Sequence, residues 1–236
     1  MKNVVYIGAL AWLAGTSSAG VIASTSFENA FVGDQYVDTG DASVDHDLVN
    51  NASQSVVDFT YDGSEMGFDA YYRNTRGSVG LTDGDWVGAT DFTGTVGSFT
   101  DGVQGYQMSD ADGTMGLAFD TVNYVGFWGV SVDLYVQATG WEADDSIRLW
   151  LEVDGGMTID LLNTVGSDVN DLDIEGDWMS LDFDLSSYTT ATLYVELESN
   201  SGSEAIYLDN VVFAVPAPGA IALLGFGGLV GARRRR

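Results

Sequence analysis

The sequence has 236 residues, with 8 Lys and Arg against 35 Asp and Glu, and a formal net charge of -27. This charge excludes nucleic-acid binding, because an acidic surface repels phosphate and displaces no counterions from it. The lack of cysteine in the sequence excludes disulfide frameworks, thiol nucleophiles and cysteine-based metal sites. All the acids lie between Val21 and Val215, where there is no lysine for Schiff-base chemistry and the basic residues are Arg73, Arg76 and Arg148.

Residues 1–19 are predicted to be a secretory signal peptide. Lys2 precedes an apolar run, and Ser17 and Ala19 are small residues of the kind that signal peptidase accepts. Cleavage after Ala23 is the alternative. Either cleavage site predicts that the chain is exported.

Residues 216–236 have the layout of a short membrane anchor. Two prolines are followed by the uncharged segment 219–232 and by four arginines. A helix over that segment would be about 21 Å long, against about 30 Å for the hydrocarbon core of a bilayer. The sequence therefore predicts a short transmembrane helix whose arginines stay at the cytoplasmic face. The residues of this motif are Pro216, Pro218, Arg233, Arg234, Arg235 and Arg236.

This three-part C-terminus resembles the PEP-CTERM sorting signal of exopolysaccharide-producing bacteria. The resemblance covers about the last twenty residues and implies recognition by an exosortase-type transpeptidase, with release or attachment of the remainder at the surface of a Gram-negative-type cell. Ala217 stands where the family has glutamate, which leaves the processing enzyme open. The alternative is a membrane anchor that is never cut.

The region between the two ends is predicted to be a series of short β-strands. Residues 128–138 alternate between apolar and polar side chains, the period of a strand with one buried face. The same period recurs at 147–153, 179–185 and 193–197. Shorter candidates are 56–61, 67–72, 86–92, 115–122, 158–162 and 205–215.

Asp-Gly pairs separate many of these candidate strands. Such pairs adopt the left-handed backbone conformations of tight reversals between antiparallel strands. Strands with one polar face each predict two antiparallel sheets packed face to face, a β-sandwich or jelly roll forming one domain over residues 20–215. The pairs are Asp62-Gly63, Asp83-Gly84, Asp101-Gly102, Asp112-Gly113 and Asp154-Gly155.

A second resemblance is carried by segments 26–29, 178–188, 193–197 and 205–213. They resemble the first and last strands of secreted jelly-roll domains related to carbohydrate-binding modules. In that family an early glutamate and a late aspartate share a structural calcium ion, which implies Glu28 and Asp209 as side-chain ligands, completed by backbone carbonyls. The alternative is that both are ordinary solvated acids.

Two other acidic segments are weaker metal candidates. Residues 171–182 have the spacing of a calcium-binding loop but lack the flanking helices of an EF-hand, which favours an acidic loop. His46, the single histidine, lies among aspartates that could hold a metal, although solvated polar sequence is the favoured interpretation. Those aspartates are Asp38, Asp41, Asp45 and Asp47.

Aromatic side chains could provide a flat surface for sugar rings. Most are expected in the core. Trp150, beside Arg148 and Glu152, lies opposite the apolar stripe of its strand and is the better candidate for exposure; no set of ligand-binding residues is predicted. The aromatic residues considered are Trp86, Trp128, Trp141, Trp150, Trp178, Tyr71, Tyr72 and Tyr106.

Catalysis has little support, because Ser-His-Asp chemistry would have to use His46 and the sequence has no nucleophile-elbow pattern. The predicted function is that of a secreted, surface-sorted, non-catalytic β-sandwich that binds glycan or forms extracellular matrix and is stabilised by calcium. The alternatives are a secreted polysaccharide-active hydrolase or lyase and a purely structural envelope protein. The predicted partners are signal peptidase, the sorting enzyme, the inner membrane and extracellular polysaccharide.

Overall fold

The computed structural model describes residues 20–74, 81, 85–138 and 140–216. These residues form an all-β fold whose helical content is one 3-10 turn, Val169–Asp171. Within those ranges, no helix has the length and hydropathy needed to cross a membrane. The predicted signal peptide and the predicted C-terminal helix lie outside the described residues.

Thirteen strands are found in the described part of the chain. They are β1 (Gly20–Thr25), β2 (His46–Asp47), β3 (Phe68–Arg73), β4 (Trp86–Thr90), β5 (Gly105–Ser109), β6 (Gly113–Phe119), β7 (Val122–Asn123), β8 (Gly129–Val136), β9 (Ser146–Val153), β10 (Met157–Asn163), β11 (Trp178–Asp184), β12 (Thr190–Ser199) and β13 (Ala205–Val215).

Every pairing between these strands is antiparallel, and the strands form two sheets. The first sheet has the order β11-β8-β13-β5-β4, and β1 also pairs with β13. Strand β5 pairs with residues 205–208 of β13, and β1 pairs with residues 211–215. The second sheet has the order β10-β9-β12-β6-β3-β2, with β7 against β12. The predicted two-sheet antiparallel sandwich is confirmed.

The core lies between the two sheets and is built from the predicted apolar stripes. Leu151 on β9 pairs with Leu193 on β12, and Leu149 pairs with Val195; all four side chains are buried. The same alternation buries one face of β8. Because side chains on a strand alternate between faces, each buried stripe leaves a second stripe on the outer face of its sheet.

The strand predictions differ from the structure in one strand that does not form and three that were not predicted. Residues 56–61 form no ladder, because the amides of Val57 and Asp58 bond to the Asn50 side chain and Phe59 makes an isolated bridge to Phe68. Strands β1, β2 and β5 were not predicted. All residues of β5 are buried, although its sequence alternates between apolar and polar residues.

The predicted Asp-Gly turns place residues in the left-handed region. Asp154 and Gly155 have φ values of 45° and 80° and connect β9 to β10 within one sheet. Asp112 also has a positive φ of 47°, but the turn joins β5 to β6, which belong to different sheets. That turn is therefore a crossing between sheets rather than the predicted hairpin. Asp83-Gly84 lies outside the described residues.

Candidate functional site

The outer face of the second sheet carries an aromatic and charged surface. On β9 the outward residues include Arg148, Trp150 and Glu152, and on β12 they include Tyr194 and Glu196, because the intervening residues are buried. The register places Tyr194 opposite Trp150 and Glu196 opposite Arg148. We call this outer face of β10, β9, β12, β6 and β3 the platform face.

Trp150 and Tyr194 form a stacked pair on the platform face. Their ring centroids are 5.0 Å apart and their planes differ by 7°. The guanidinium carbon of Arg148 lies 4.6 Å from the centroid of the Trp150 ring. Both rings are half-buried, so part of each is in contact with solvent. Cross-strand stacking and the cation fix the orientation of Trp150.

The other side of Tyr194 faces β6, where the neighbouring residue in the register is Ala118. Beyond Ala118 lies Asp69 of β3, which is exposed. The small Ala118 side chain therefore stands between Tyr194 and Asp69 in the register. An aromatic ring and a carboxylate are groups that can contact a sugar ring and its hydroxyl groups.

A third aromatic residue, Tyr71, lies further across the platform face. The Tyr71 hydroxyl donates a hydrogen bond to Glu196 Oε1 at 2.9 Å, and the Arg73 guanidinium carbon lies 4.7 Å from the Tyr71 ring centroid. A Cβ on Gly116 would lie 2.2 Å from Cζ of Tyr71, so glycine lets this ring lie close to the sheet. Burial and then the adjacent Glu196 raise the pKa of Tyr71 above its usual range.

Both arginines of the described residues lie on the platform face and bind carboxylates there. The Arg148 Nε and Asp160 Oδ1 atoms are 2.9 Å apart, and Arg73 Nη2 lies 2.8 Å from Asp47 Oδ1. Glu152 is also exposed on this face. The surface therefore combines aromatic rings with carboxylates that accept hydrogen bonds and remains acidic despite its two cations.

The outer face of the first sheet is covered by residues 91–104, which connect β4 to β5 and which we call the strap. Phe99 packs against Trp178, with ring centroids 6.1 Å apart. Trp178 donates its indole N–H to the Ser98 carbonyl at 3.1 Å, and the Tyr135 hydroxyl donates to the Thr95 carbonyl at 3.3 Å. The strap thus buries Tyr135 and Tyr207 and partly covers Trp178, whereas Trp150 and Tyr194 of the platform face are not covered by it.

The two predicted calcium ligands both bind the strap. Asp209 is fully buried, and its Oδ2 accepts hydrogen bonds from the Thr100 amide at 2.7 Å, the Thr100 hydroxyl at 3.0 Å and the Asp101 amide at 2.8 Å. Glu28 Oε1 accepts from the amides of Val103 and Gln104, each at 2.7 Å. The early glutamate and the late aspartate therefore both bind the strap, and the groups that they bind there are backbone amides and the Thr100 hydroxyl.

The remaining oxygens of these carboxylates suit a hard cation in type. Among described residues, Glu28 Oε2 accepts no hydrogen bond and Asp209 Oδ1 accepts one, from the Asn210 amide. Burial raises the pKa of Asp209 to about 6 despite the hydrogen bonds it accepts, and a cation would offset that desolvation. The residues fit calcium as oxygen donors, and calcium binding stays a prediction.

Glu65, which the sequence analysis did not single out, positions Glu28. Its Oε1 accepts from the amides of Ser26 and Glu28 at 3.1 Å, and its Oε2 accepts from the Asn29 amide at 2.9 Å. Phe27, at the centre of this turn, has a φ of 62°. The turn therefore depends on a distant acid that no local pattern indicates.

Other acids come together without a sequence signal. In each of two triplets, one oxygen of each carboxylate lies within 4.8 Å of the other two. Glu204 is buried, and burial, followed by the neighbouring Asp145 and Glu142, raises its pKa to about 7. The triplets are Asp85, Asp110 and Asp112, and Glu142, Asp145 and Glu204.

The two weaker metal candidates have ordinary structural contacts. His46 Nε2 lies 2.8 Å from Asp38 Oδ2 and its Nδ1 lies 2.8 Å from the Val44 carbonyl, so both ring nitrogens are occupied. In segment 171–182, Asp171 and Asp177 are exposed in the loop before β11, which agrees with the solvated interpretation.

One member of the stacked pair, Trp150, is predicted from the sequence. Trp150 is at the surface, as its parity predicts, and Trp128, Trp141, Tyr72 and Tyr106 are in the core. Tyr194 was missed. Tyr194 lies between Leu193 and Val195, which are buried. The same alternation that places Trp150 on the outer face therefore also predicts an outward position for Tyr194. Of the sorting motif, Pro216 is described and is buried; its other residues lie outside the described residues.

No protein-family model matches the chain, and no curated protein matches it. Several solved structures do match the chain. A CBM22 xylan-binding domain from Paenibacillus barcinonensis is 16% identical with a TM-score of 0.36, over 86% of this chain and 98% of that one. The K3 adhesin domain of a Porphyromonas gingivalis gingipain is 12% identical with a TM-score of 0.36, over 84% and 99%.

A longer protein also matches. The CBM22 and GH10 modules of a Clostridium thermocellum endo-1,4-β-D-xylanase are 13% identical with a TM-score of 0.33, over 55% of this chain. The match spans 24% of the xylanase chain.

Proposed function

We propose that this chain is an exported, cell-surface glycan-binding protein and that the platform face binds the glycan. The observation that carries the proposal is the stacked pair of Trp150 and Tyr194, partly exposed on the sheet face that the strap does not cover. Fixed aromatic rings offer apolar contact area with little loss of conformational entropy on binding.

The groups around the stacked pair favour a polyhydroxylated ligand. Glu152, Asp160 and Asp69 are exposed carboxylates that accept hydrogen bonds from hydroxyl groups. Because the surface is acidic, a strongly anionic polymer would be repelled unless a divalent cation lay between them. The ligand class that fits best is a neutral polysaccharide.

Export and sorting form the second part of the proposal. Strand β1 begins at Gly20, so cleavage after Ala19 would leave its pairing with β13 intact, whereas cleavage after Ala23 would remove most of the strand. This supports residues 1–19 as the signal peptide. Residues 216–236 are proposed as the sorting signal from the three-part layout of the sequence. Signal peptidase, an exosortase-type enzyme and the inner membrane are the corresponding partners.

Calcium is proposed as a structural ion held by Glu28 and Asp209. Support comes from the strap, which both carboxylates bind, and from Glu28 Oε2, which accepts no hydrogen bond from the described residues. A bound cation would tie β13 and the start of the chain to the strap without touching the platform face.

The experiment is affinity electrophoresis of the full chain in detergent, through gels containing xylan, mixed-linkage glucan, mannan or alginate. We expect retardation by at least one neutral polysaccharide, and loss of retardation in Trp150→Ala but not in Tyr61→Ala, which removes an exposed aromatic ring from a loop. Release of reducing sugar by the wild-type chain would instead support a hydrolase. Absence of both retardation and product would favour a structural envelope protein.

A further inference from the structure

The chain enters and leaves the sandwich at one point. Gly20 pairs with Val215 in the β1–β13 ladder, so both ends of the described domain emerge side by side. Strand β8 begins at the same end, because Gly129 pairs with Ala214. We call this end of the sandwich the exit end.

Two loops close the exit end and are fixed to each other. The Trp128 indole N–H donates to the Tyr188 carbonyl at 2.9 Å, and the Leu185 amide donates to the Trp128 carbonyl at 2.9 Å. The Tyr124 amide donates to the Thr189 carbonyl at 3.0 Å. Loops 124–128 and 185–189 therefore form a defined surface.

Large apolar side chains point out from the exit end. Val125 is 82% exposed and Phe127 is 61% exposed, on either side of a glycine in the first of these loops. Val21, next to the point of chain entry, is 62% exposed. These three side chains are the groups at the exit end that could enter a lipid surface.

The exit end is also poor in acids. Residues 121–132 and 185–195 contain no Asp or Glu in a sequence that has 35 of them. The nearest acids are Asp184, opposite Gly129, and Asp154, whose Oδ1 accepts hydrogen bonds from Thr189 and Thr190. The two loops of the exit end therefore add no acidic side chain that anionic headgroups would repel.

The chain beyond the exit end is short before it becomes apolar. Strand β13 ends at Val215 and the uncharged segment begins at residue 219, so three residues separate them. At about 3.3 Å per residue these reach about 10 Å. A domain tethered so closely must lie against any bilayer that holds the tail.

We infer that the exit end rests on the lipid surface, with Val21, Val125 and Phe127 inserted at the headgroup boundary, while residues 219–232 are in the bilayer. The inference rests on the proposed C-terminal anchor. It fixes the orientation of the domain: β1 and β13 stand on the membrane and the platform face extends along the side of the sandwich, accessible to polysaccharide.

The test uses the full chain in vesicles of phosphatidylethanolamine and phosphatidylglycerol. Because the chain has no cysteine, Val125→Cys, Phe127→Cys and Val165→Cys can each be labelled with an environment-sensitive fluorophore. Val165 is 53% exposed and follows β10, whose end pairs with the start of β9 at the opposite end of the sandwich. Melting curves of the three variants check that each is folded.

We expect lipid-borne quenchers to reduce emission several-fold more at positions 125 and 127 than at 165. Equal quenching at all three positions in chains that float with the vesicles would overturn the inference and leave the anchor in place. If the chain does not float with the vesicles, the proposed C-terminal membrane anchor is wrong, and the inference that rests on it is wrong too.

Discussion

Asp209 on β13 binds Thr100 of the strap through both the amide and the hydroxyl of that threonine, with one carboxylate oxygen accepting at 2.7 and 3.0 Å. The contact joins residues 109 positions apart and holds the strap over the aromatic residues of the first sheet. Because Asp209 is fully buried, these donors replace the water that its carboxylate loses.

Replacing Asp209 by asparagine should weaken the strap. In asparagine one carboxylate oxygen is replaced by an NH2 group, which donates hydrogen bonds and cannot accept them. The buried donors that now bond to that oxygen would be left without an acceptor. We expect a loss of about 2 kcal/mol in the free energy of unfolding, measured by urea denaturation. Asp91→Asn, an exposed change in the same loop, is the control and should stay within about 0.5 kcal/mol of wild type.

Gly102→Ala should be more destabilising than Gly97→Ala. Both glycines have a positive φ, 73° and 71°, so the strain on the backbone is matched. A Cβ at Gly102 would lie 2.3 Å from Glu28 Oε1, whereas a Cβ at Gly97 meets nothing within 4 Å. We expect the difference to be about 1–3 kcal/mol by urea denaturation, because Glu28 must release strap amides. Equal losses would mean that this contact contributes nothing.

Stability should fall as the pH rises from 5 to 8 in EDTA. The pKa of Glu204, about 7, and that of Asp209, about 6, lie above the ordinary carboxyl values, so the folded state keeps these protons longer than the unfolded state. Their stabilisation is complete below the unfolded pKa and is lost as the pH rises through 6 and 7. His46 has a raised pKa too, because its bonds to Val44 and Asp38 outweigh burial, and contributes with the same sign.

Glu204→Gln isolates one of these groups, since glutamine stays neutral. At pH 8 the variant should be more stable than wild type by on the order of 2 kcal/mol, and at pH 5 the difference should nearly vanish. A pH-independent effect of this substitution would contradict the assignment.

Calcium should raise the melting temperature of the full chain. With a dissociation constant near 10⁻³ M, typical of extracellular calcium modules, about 5 mM calcium contributes about 1 kcal/mol, or about 3 °C. Magnesium at the same ionic strength is the control for screening of the acidic surface, and Glu28→Gln should abolish the calcium-specific part. If calcium still raises the melting temperature of Glu28→Gln, the ion binds at another site.

How far the sequence predicts this architecture depends on whether a feature is local. Alternation identified β8, β9 and β12 and the outward position of Trp150, because period two follows from backbone geometry alone. Tyr194 carries the same signal, but only the register of β9 against β12 brings the two rings together.

Features formed by contacts between residues far apart in the sequence could not be predicted. The strap has no periodic signal and is defined by its bonds to Asp209 and Glu28, which lie far away in the chain. The sequence resemblance named those two acids but not their amide partners. Glu65 was missed for the same reason, since its contacts are with the turn at Phe27.

The most direct measurement is calorimetric titration of the full chain with the polysaccharide that retards it most, comparing wild type, Tyr194→Ala and Tyr61→Ala. We predict at least a tenfold weaker affinity for Tyr194→Ala, about 1.4 kcal/mol, with the melting temperature little changed and Tyr61→Ala binding like wild type. Wild-type affinity in Tyr194→Ala would contradict the assignment of the platform face as the glycan-binding surface.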